Sequence, residues 1–381
     1  LNRNLLLSRA INLRSFPINY TLFVTSKSND TKKVDTIRGG QNLCQTRNVG
    51  LDLIRSCAIL FVIAGHFFSL HTAFKTSTFE GTSLFIQATI SFLFYTGVSL
   101  FLLLTGYLNT NKSINKKYYK GGVRVIISYL LFSLITIIFR KYYLHESLSW
   151  IQWGLKVLDF SAIPYGWYIE MWIGLFLLTP FLNLLYKTIP DQKQKLILVG
   201  TLYIMTALPD LLNRYGVHLV PGFWQQCFPL TFYFIGAYIH EYKPTIRKGW
   251  AWMIILGICL INPIFNLIFI HNHTLVQICG SSNGVFGIPI AVLFFLLFYQ
   301  LDIHSKMNKK ILAKISGLSL DMYLCCYIFD AIYYPYFKEH YFVNQSQFGI
   351  YFFILVPLVF ISSFAVAWLK ERTFKLLKLH I

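Results

Sequence analysis

From residue 50 onward the chain is built of ten apolar runs, each close to the roughly 20 residues that a helix needs to cross a bilayer. They fall at about 51–70, 83–108, 124–143, 166–187, 195–212, 224–240, 250–270, 285–301, 314–334 and 348–369. Lipid offers no partner to a backbone N–H or C=O, so runs of this kind fold as helices that satisfy their own hydrogen bonds. The expected fold is all-α: a polytopic integral membrane helix bundle of about ten transmembrane helices. Composition leaves little else. Residues of the AVILMFWYC class make up 55% and charged residues 13%, whereas a soluble domain carries about 25% charged residues. Such a chain cannot clothe a water-facing surface, which excludes a soluble enzyme, a disordered chain and a secreted disulfide scaffold. The seven cysteines contain no C-x-x-C pair, and most lie in apolar runs as buried apolar residues.

The 34 Lys and Arg outnumber 15 Asp and Glu, for a net charge of +19. In a soluble protein this would suggest nucleic acid. Here the basic residues sit in short loops, where they orient helices in the bilayer, and no nucleic-acid partner is expected. Loops on one side carry clusters such as Lys112, Lys116, Lys117, Lys120 and Arg124, or Lys306, Lys309, Lys310 and Lys314. The tail adds Lys370, Arg372, Lys375 and Lys378, while the opposite loops hold only Lys75, Arg140, Lys141, Lys156, Arg214 and Lys338. The positive-inside rule then places both termini in the cytoplasm, in a multi-pass protein of the cell (cytoplasmic) membrane whose first partner is the lipid bilayer.

Three segments follow. Residues 1–48 are basic and lack a run of spanning length, and the first methionine is Met171. They are expected to be a disordered basic arm or sequence outside the native protein, with no signal-peptide pattern. Residues 49–370 form the membrane domain, and 371–381 form a basic cytoplasmic tail. The half-apolar loop 144–165 is expected to lie in the membrane interface, anchored by Trp150 and Trp153.

Ionisable groups inside membrane helices are costly and mark functional sites by default. The first run holds the densest set, Asp52, Arg55 and His66. At about 100° per residue, Arg55 and His66 share one helix face, roughly 16 Å apart along the axis. Asp52, three residues before Arg55, can pair with it. This arrangement suits group transfer from an anionic donor, with Arg55 holding phosphate or carboxylate and His66 acting as general base on an acceptor hydroxyl. The alternative is a packing histidine beside a snorkelling arginine. Glu170 reads as an interfacial carboxylate, and Asp321 and Asp330 as partners of Arg or Tyr elsewhere in the bundle or as proton-relay groups. His271 and His273 stand in a loop without other ligands, so no metal site and no bound cofactor is expected. A phosphate-cradling glycine loop, a G-x-S-x-G elbow and an H-E-x-x-H motif are all missing from the sequence.

The run Leu51-Asp52-Leu53-Ile54-Arg55 followed by Gly65-His66 resembles the opening helix of the membrane acyltransferase 3 family, an Asp-x-x-Arg with a histidine eleven residues after the arginine. Val98-Ser99-Leu100-Phe101 leading to Thr105-Gly106-Tyr107-Leu108 is similar to the family's Phe-rich stretch. Arg124 resembles the second arginine of its Arg-x-x-Arg. Trp167-Tyr168 with Pro180, and Ser316-Gly317-Leu318-Ser319 with Tyr323-Leu324, match two later motifs. The resemblance spans roughly residues 49–370. It implies an O-acyltransferase that moves an acyl group, usually acetyl, from cytosolic acyl-CoA as co-substrate to a hydroxyl of a carbohydrate or cell-surface glycan precursor. By resemblance, Arg55 and His66 are the catalytic pair. Arg124 and Lys120 bind the donor, and Asp52, Tyr107 and Trp167 support the site. Three positions depart from the family pattern: Gly121 replaces the first arginine beside Lys120, Cys326 stands where many members have histidine, and Glu170 is three residues after Trp167 rather than five or six. A secondary transporter or flippase for a polar solute is the competing function, because it too needs intramembrane Asp, Arg and His.

Overall fold

A computed structural model describes residues 47–213, 218–269 and 281–377, and the regular structure among them is helical. The basic arm up to residue 46, the loop histidines 271 and 273 and the last four residues lie outside the described residues. In chain order the helices are α1 (Val49–His66), α2 (Gly81–Phe94), α3 (Gly97–Asn109), α4 (Lys116–Tyr142), α5 (Trp150–Leu158), α6 (Trp167–Thr188) and α7 (Gln192–Leu212). They continue as α8 (Phe228–Tyr242), α9 (Lys248–Phe269), α10 (Gly287–Phe298), α11 (Lys306–Tyr341), α12 (Gln345–Phe348) and α13 (Phe352–Leu376).

Eight helical stretches are long and apolar enough to cross a membrane. Eight of the ten expected runs are therefore matched, and two fold as shorter helices. At the run 224–240 the chain first forms a 3-10 turn, Gly222–Cys227, and α8 begins only at Phe228, next to Pro229. The run 285–301 holds α10, which is 12 residues long. Its start is delayed by turns at 282–286 and its end comes before Gln300.

Helix α1 lies against α3, α11 and α13, and α3 packs on α8. The α3–α8 crossing explains the glycine of Thr105-Gly106-Tyr107-Leu108. A Cβ at Gly106 would overlap the Tyr233 carbonyl, and one at Gly236 would overlap the Leu103 carbonyl. Paired small residues let two membrane helices approach backbone to backbone. Gly106→Ala is expected to destabilise the protein by about 1–3 kcal/mol, as overpacking does. Gly200→Ala, whose Cβ meets nothing within 4 Å, should be neutral or stabilising in the same thermal-unfolding measurement in detergent.

The connection from α4 to α6 departs from an interfacial loop. Trp150 is exposed, with the Lys141 ammonium 3.9 Å from its ring centre, but Trp153 is buried beneath Arg140 rather than anchored in lipid. Arg140 holds Glu146 through two 2.8 Å bonds and donates to the carbonyls of Ser161 and Ala162 at 3.2 and 3.0 Å. These bonds give two part-buried loop carbonyls a partner. With them satisfied, the segment through Ala162, Ile163 and Tyr165 turns inward and is buried. Tyr165 is thereby delivered to the centre of the bundle.

Candidate active site

His66 is the last residue of α1, and the chain continues as a π-helical turn, Phe67–His71. In a regular α-helix a residue five positions on would face about 140° away. The wider turn brings His71 round to the same carboxylate as His66. That carboxylate is Asp330 of α11, whose side chain is fully buried. Its Oδ2 lies 3.1 Å from His66 Nδ1, 3.3 Å from His71 Nε2 and 2.8 Å from the Tyr165 hydroxyl. The Tyr165 hydroxyl is also 2.5 Å from His71 Nε2.

Counting hydrogens fixes the tautomers. Tyr165 has one hydroxyl hydrogen, and giving it to Asp330 leaves the phenolic oxygen as the acceptor of a hydrogen on His71 Nε2. An ionised carboxylate only accepts, so His66 carries its hydrogen on Nδ1 and presents Nε2 as the basic nitrogen. The rings reinforce this: His66 lies 4.0 Å from the Tyr165 ring centre and His71 stacks on Tyr334 at 4.5 Å. Asp330 Oδ1 is buried without a hydrogen-bond partner, so the whole burden of stabilising this carboxylate falls on Oδ2. The chain therefore holds a histidine with one nitrogen committed and the other free, oriented by a buried carboxylate. This is the arrangement of a general base.

A run of tyrosines leads from this centre toward Arg55. The Tyr323 hydroxyl donates to the Tyr165 carbonyl, and its ring meets Tyr168 edge-on at 5.4 Å. Tyr168 and Tyr323 line a chamber of about 410 Å³ together with Arg55, Ser316 and Trp172. Arg55 donates to the Ser316 hydroxyl at 3.2 Å. A guanidinium has five N–H donors, so most of its capacity is open to a ligand in the chamber. Beyond it lies a larger cavity of about 740 Å³ lined by Arg47, Arg124, Lys310, Lys314, Lys370 and Lys375, with Asp321 and Glu371. Lys370 bonds Asp321 at 2.6 Å, while Lys314 and Lys375 share Glu371. Among the described residues Arg124 and Lys310 have no ion-pair partner. The cavity keeps a net positive charge.

The remaining residues singled out in the sequence fall at differing distances from this assembly. Asp52 does not pair with Arg55. Arg47, just ahead of α1, folds back and grips it with bonds of 2.5 and 2.9 Å, a contact that raises the Arg47 pKa through the Asp52 hydrogen bond. Two donors in a fork suit a carboxylate better than one side chain on the same helix face. Lys120 lies outside the charged cavity, on a separate shallow groove with Lys116 and Tyr119. Tyr107 packs edge-on against His240 at 4.9 Å, and Trp167 is half-exposed beside Tyr168. Glu170 is exposed. Asp330 meets a tyrosine, Tyr165, together with two histidines, whereas Asp321 pairs with Lys370 rather than with Arg or Tyr. His71, Tyr165 and Arg47 are site residues that spacing in the sequence does not mark. A histidine five residues after His66 was the one visible signal, and α-helical periodicity points away from it.

A ring nitrogen of His66, a carboxylate oxygen of Asp330 and Cys326 Sγ lie within 4.8 Å of one another, a spacing that metal ligands can adopt. Each of the three is also engaged in a hydrogen bond, with Cys326 donating to the Tyr323 carbonyl at 3.1 Å.

Fold and site together describe a multi-pass membrane protein with a buried histidine–carboxylate centre and, at the other end of α1, an Arg55 chamber adjoining a charged cavity. The family model of the acyltransferase domain, acyltransferase 3, matches residues 48–372. The chain belongs to this family and is an acyltransferase, which sets aside the transporter reading. No curated protein and no solved structure matches it.

Proposed function

We propose that residues 49–370 form an O-acyltransferase domain that moves an acyl group, most simply acetyl, from cytosolic acyl-CoA to a hydroxyl of a carbohydrate or glycan precursor. The observation that carries this is a line of residue contacts: the cation-lined cavity adjoins the Arg55 chamber, whose Tyr323 bonds Tyr165, and Tyr165 meets Asp330 beside His66. Coenzyme A is an anionic nucleotide joined to a thin thioester-bearing arm, and the line offers charge at one end and a base at the other. His66 Nε2 takes the proton of the acceptor hydroxyl as its oxygen attacks the thioester carbonyl. The tetrahedral centre collapses, the C–S bond breaks, and the thiolate leaves with the proton from His66. Arg55 sits roughly 16 Å from His66 along α1, so it anchors the donor rather than the reacting carbonyl.

In this proposal the charged cavity opens to the cytoplasm of a cell membrane, both termini lie on that side, and α8 and α10 complete ten crossings. Labelled acetyl-CoA given to the purified protein with a glycan acceptor should yield acetylated glycan and free CoA in equal amounts. Intact acetyl-CoA after prolonged incubation with a panel of hydroxyl acceptors would end the acetyl assignment.

Arg124→Ala tests the donor end. A phosphate contact acts mainly on ground-state binding, so the change should raise KM for acyl-CoA with little effect on kcat. Arg124 is exposed, and screened contacts are weak, so the expected rise is about two- to fivefold at moderate salt. Raising salt should weaken donor binding in the parent and less so in the variant. An unchanged KM would make Arg124 a topology determinant only.

A further inference from the structure

We propose that Gly317 is the threshold over which the thin arm of the acyl donor passes from the charged cavity into the Arg55 chamber. This rests on the donor site proposed above. Gly317 lines both cavities, and so do Val125 and Leu320. These shared residues mark where the two spaces adjoin.

Gly317 is an odd residue for its place. It lies inside α11, far from either end, where glycine is less favourable than alanine. No positive φ calls for it. Nor does helix packing: a Cβ built there would meet no heavy atom within 4 Å, unlike Gly106 and Gly236, where backbone carbonyls stand in the way. The space beside Gly317 is open, and the residue is exposed to it.

The neighbours of Gly317 divide the donor by chemistry. Toward the large cavity lie Arg124, Lys310 and Lys314, and toward the chamber lie Arg55 and Ser316. Between them the shared walls, Val125 and Leu320, are apolar. A phosphate would lose its hydration there without a partner, whereas an uncharged amide-and-thioester chain passes at a much smaller cost. The missing side chain at 317 supplies the width.

The test uses the full-length protein in detergent with Gly317→Ala, Gly317→Leu and Gly317→Trp. Two ligands are compared, acetyl-CoA and the adenosine bisphosphate fragment of coenzyme A, which lacks the arm. The fragment should compete with acetyl-CoA in the parent and bind the Leu and Trp variants unchanged, which also reports that they fold. Acetyl transfer should fall on the order of 10²-fold in those two variants, with Ala intermediate, and acetyl-CoA should bind them no better than the fragment. Normal acetyl-CoA turnover in Gly317→Trp overturns the threshold. Loss of fragment binding together with turnover also counts against it, because the substitution would then disturb the charged cavity itself. A parent protein that turns over acetyl-CoA yet never binds the fragment overturns the donor-site proposal instead.

Discussion

His66→Ala is expected to lower acyl transfer by about 10²–10⁴-fold, the span that a positioned general base supplies. The protein should still insert and fold. Removing the imidazole takes one of three donors from a buried carboxylate, at a cost of about 1–3 kcal/mol, while Tyr165 and His71 remain on Asp330 Oδ2. A second variant separates chemistry from packing. In His66→Gln the amide N–H₂ can still donate to Asp330, but an amide is no base at neutral pH. Its thermal midpoint should lie between those of the parent and the Ala variant, with activity as low as in Ala. If His66→Gln retained near-parental kcat, the imidazole would be a packing group, and the base would have to be sought elsewhere, with His71 first. Binding of acyl-CoA should be unchanged in both variants, because the cation-lined cavity is built from α4, α11 and α13 and not from this end of α1.

How much of this could be read from the sequence depended on whether the contact was local. Arg55 and His66 share a face because α1 is a regular helix between them, and the stretch from Arg55 to Ala64 holds no proline or glycine to break its period. The membrane-spanning runs were legible for the same reason, since lipid imposes helix on any long apolar stretch. The misreadings occur where tertiary contacts override local geometry. Helix spacing offers Asp52 to Arg55, but Arg47, outside the helix, reaches it with a fork. His71 is not legible as a site residue, because its place depends on a π-turn whose wider spacing has no marker in Phe67-Phe68-Ser69-Leu70. Tyr165 joins Asp330 across 165 residues of chain, through a segment that Arg140 pulls inward. No pattern within that segment announces it. Lys120 and Arg124 share a helical spacing, yet the cavity takes only Arg124, because its wall is completed by α11 and α13.

Asp330→Asn should be nearly as damaging as loss of His66, for a different reason. The substitution preserves volume and removes a charge from a fully buried site, where the ionised carboxylate paid a desolvation cost. Stability is therefore not expected to fall in proportion to activity. What changes is the hydrogen-bond polarity. An aspartate oxygen can only accept, and so forces the hydrogen of His66 onto Nδ1, with Nε2 left basic. An asparagine can turn its N–H₂ toward Nδ1, which makes Nδ1 the acceptor and moves the hydrogen to Nε2. The imidazole then faces the acceptor with a donor and cannot take its proton. The loss of the negative charge also removes the group that stabilises the imidazolium formed during attack. Together these effects should lower kcat by about 10²-fold or more, within the span of general-base catalysis, with KM for acyl-CoA unchanged. Such a split is what an effect confined to the chemical step produces. Tyr165→Phe supplies the comparison: it removes one donor from Asp330 but leaves the carboxylate to fix His66, so it should cost far less. A variant Asp330→Asn with parental kcat would show that the carboxylate does not govern the His66 tautomer. Asp330 would then be one more buried polar group that joins α11 to α1, and the basicity of His66 would need another source.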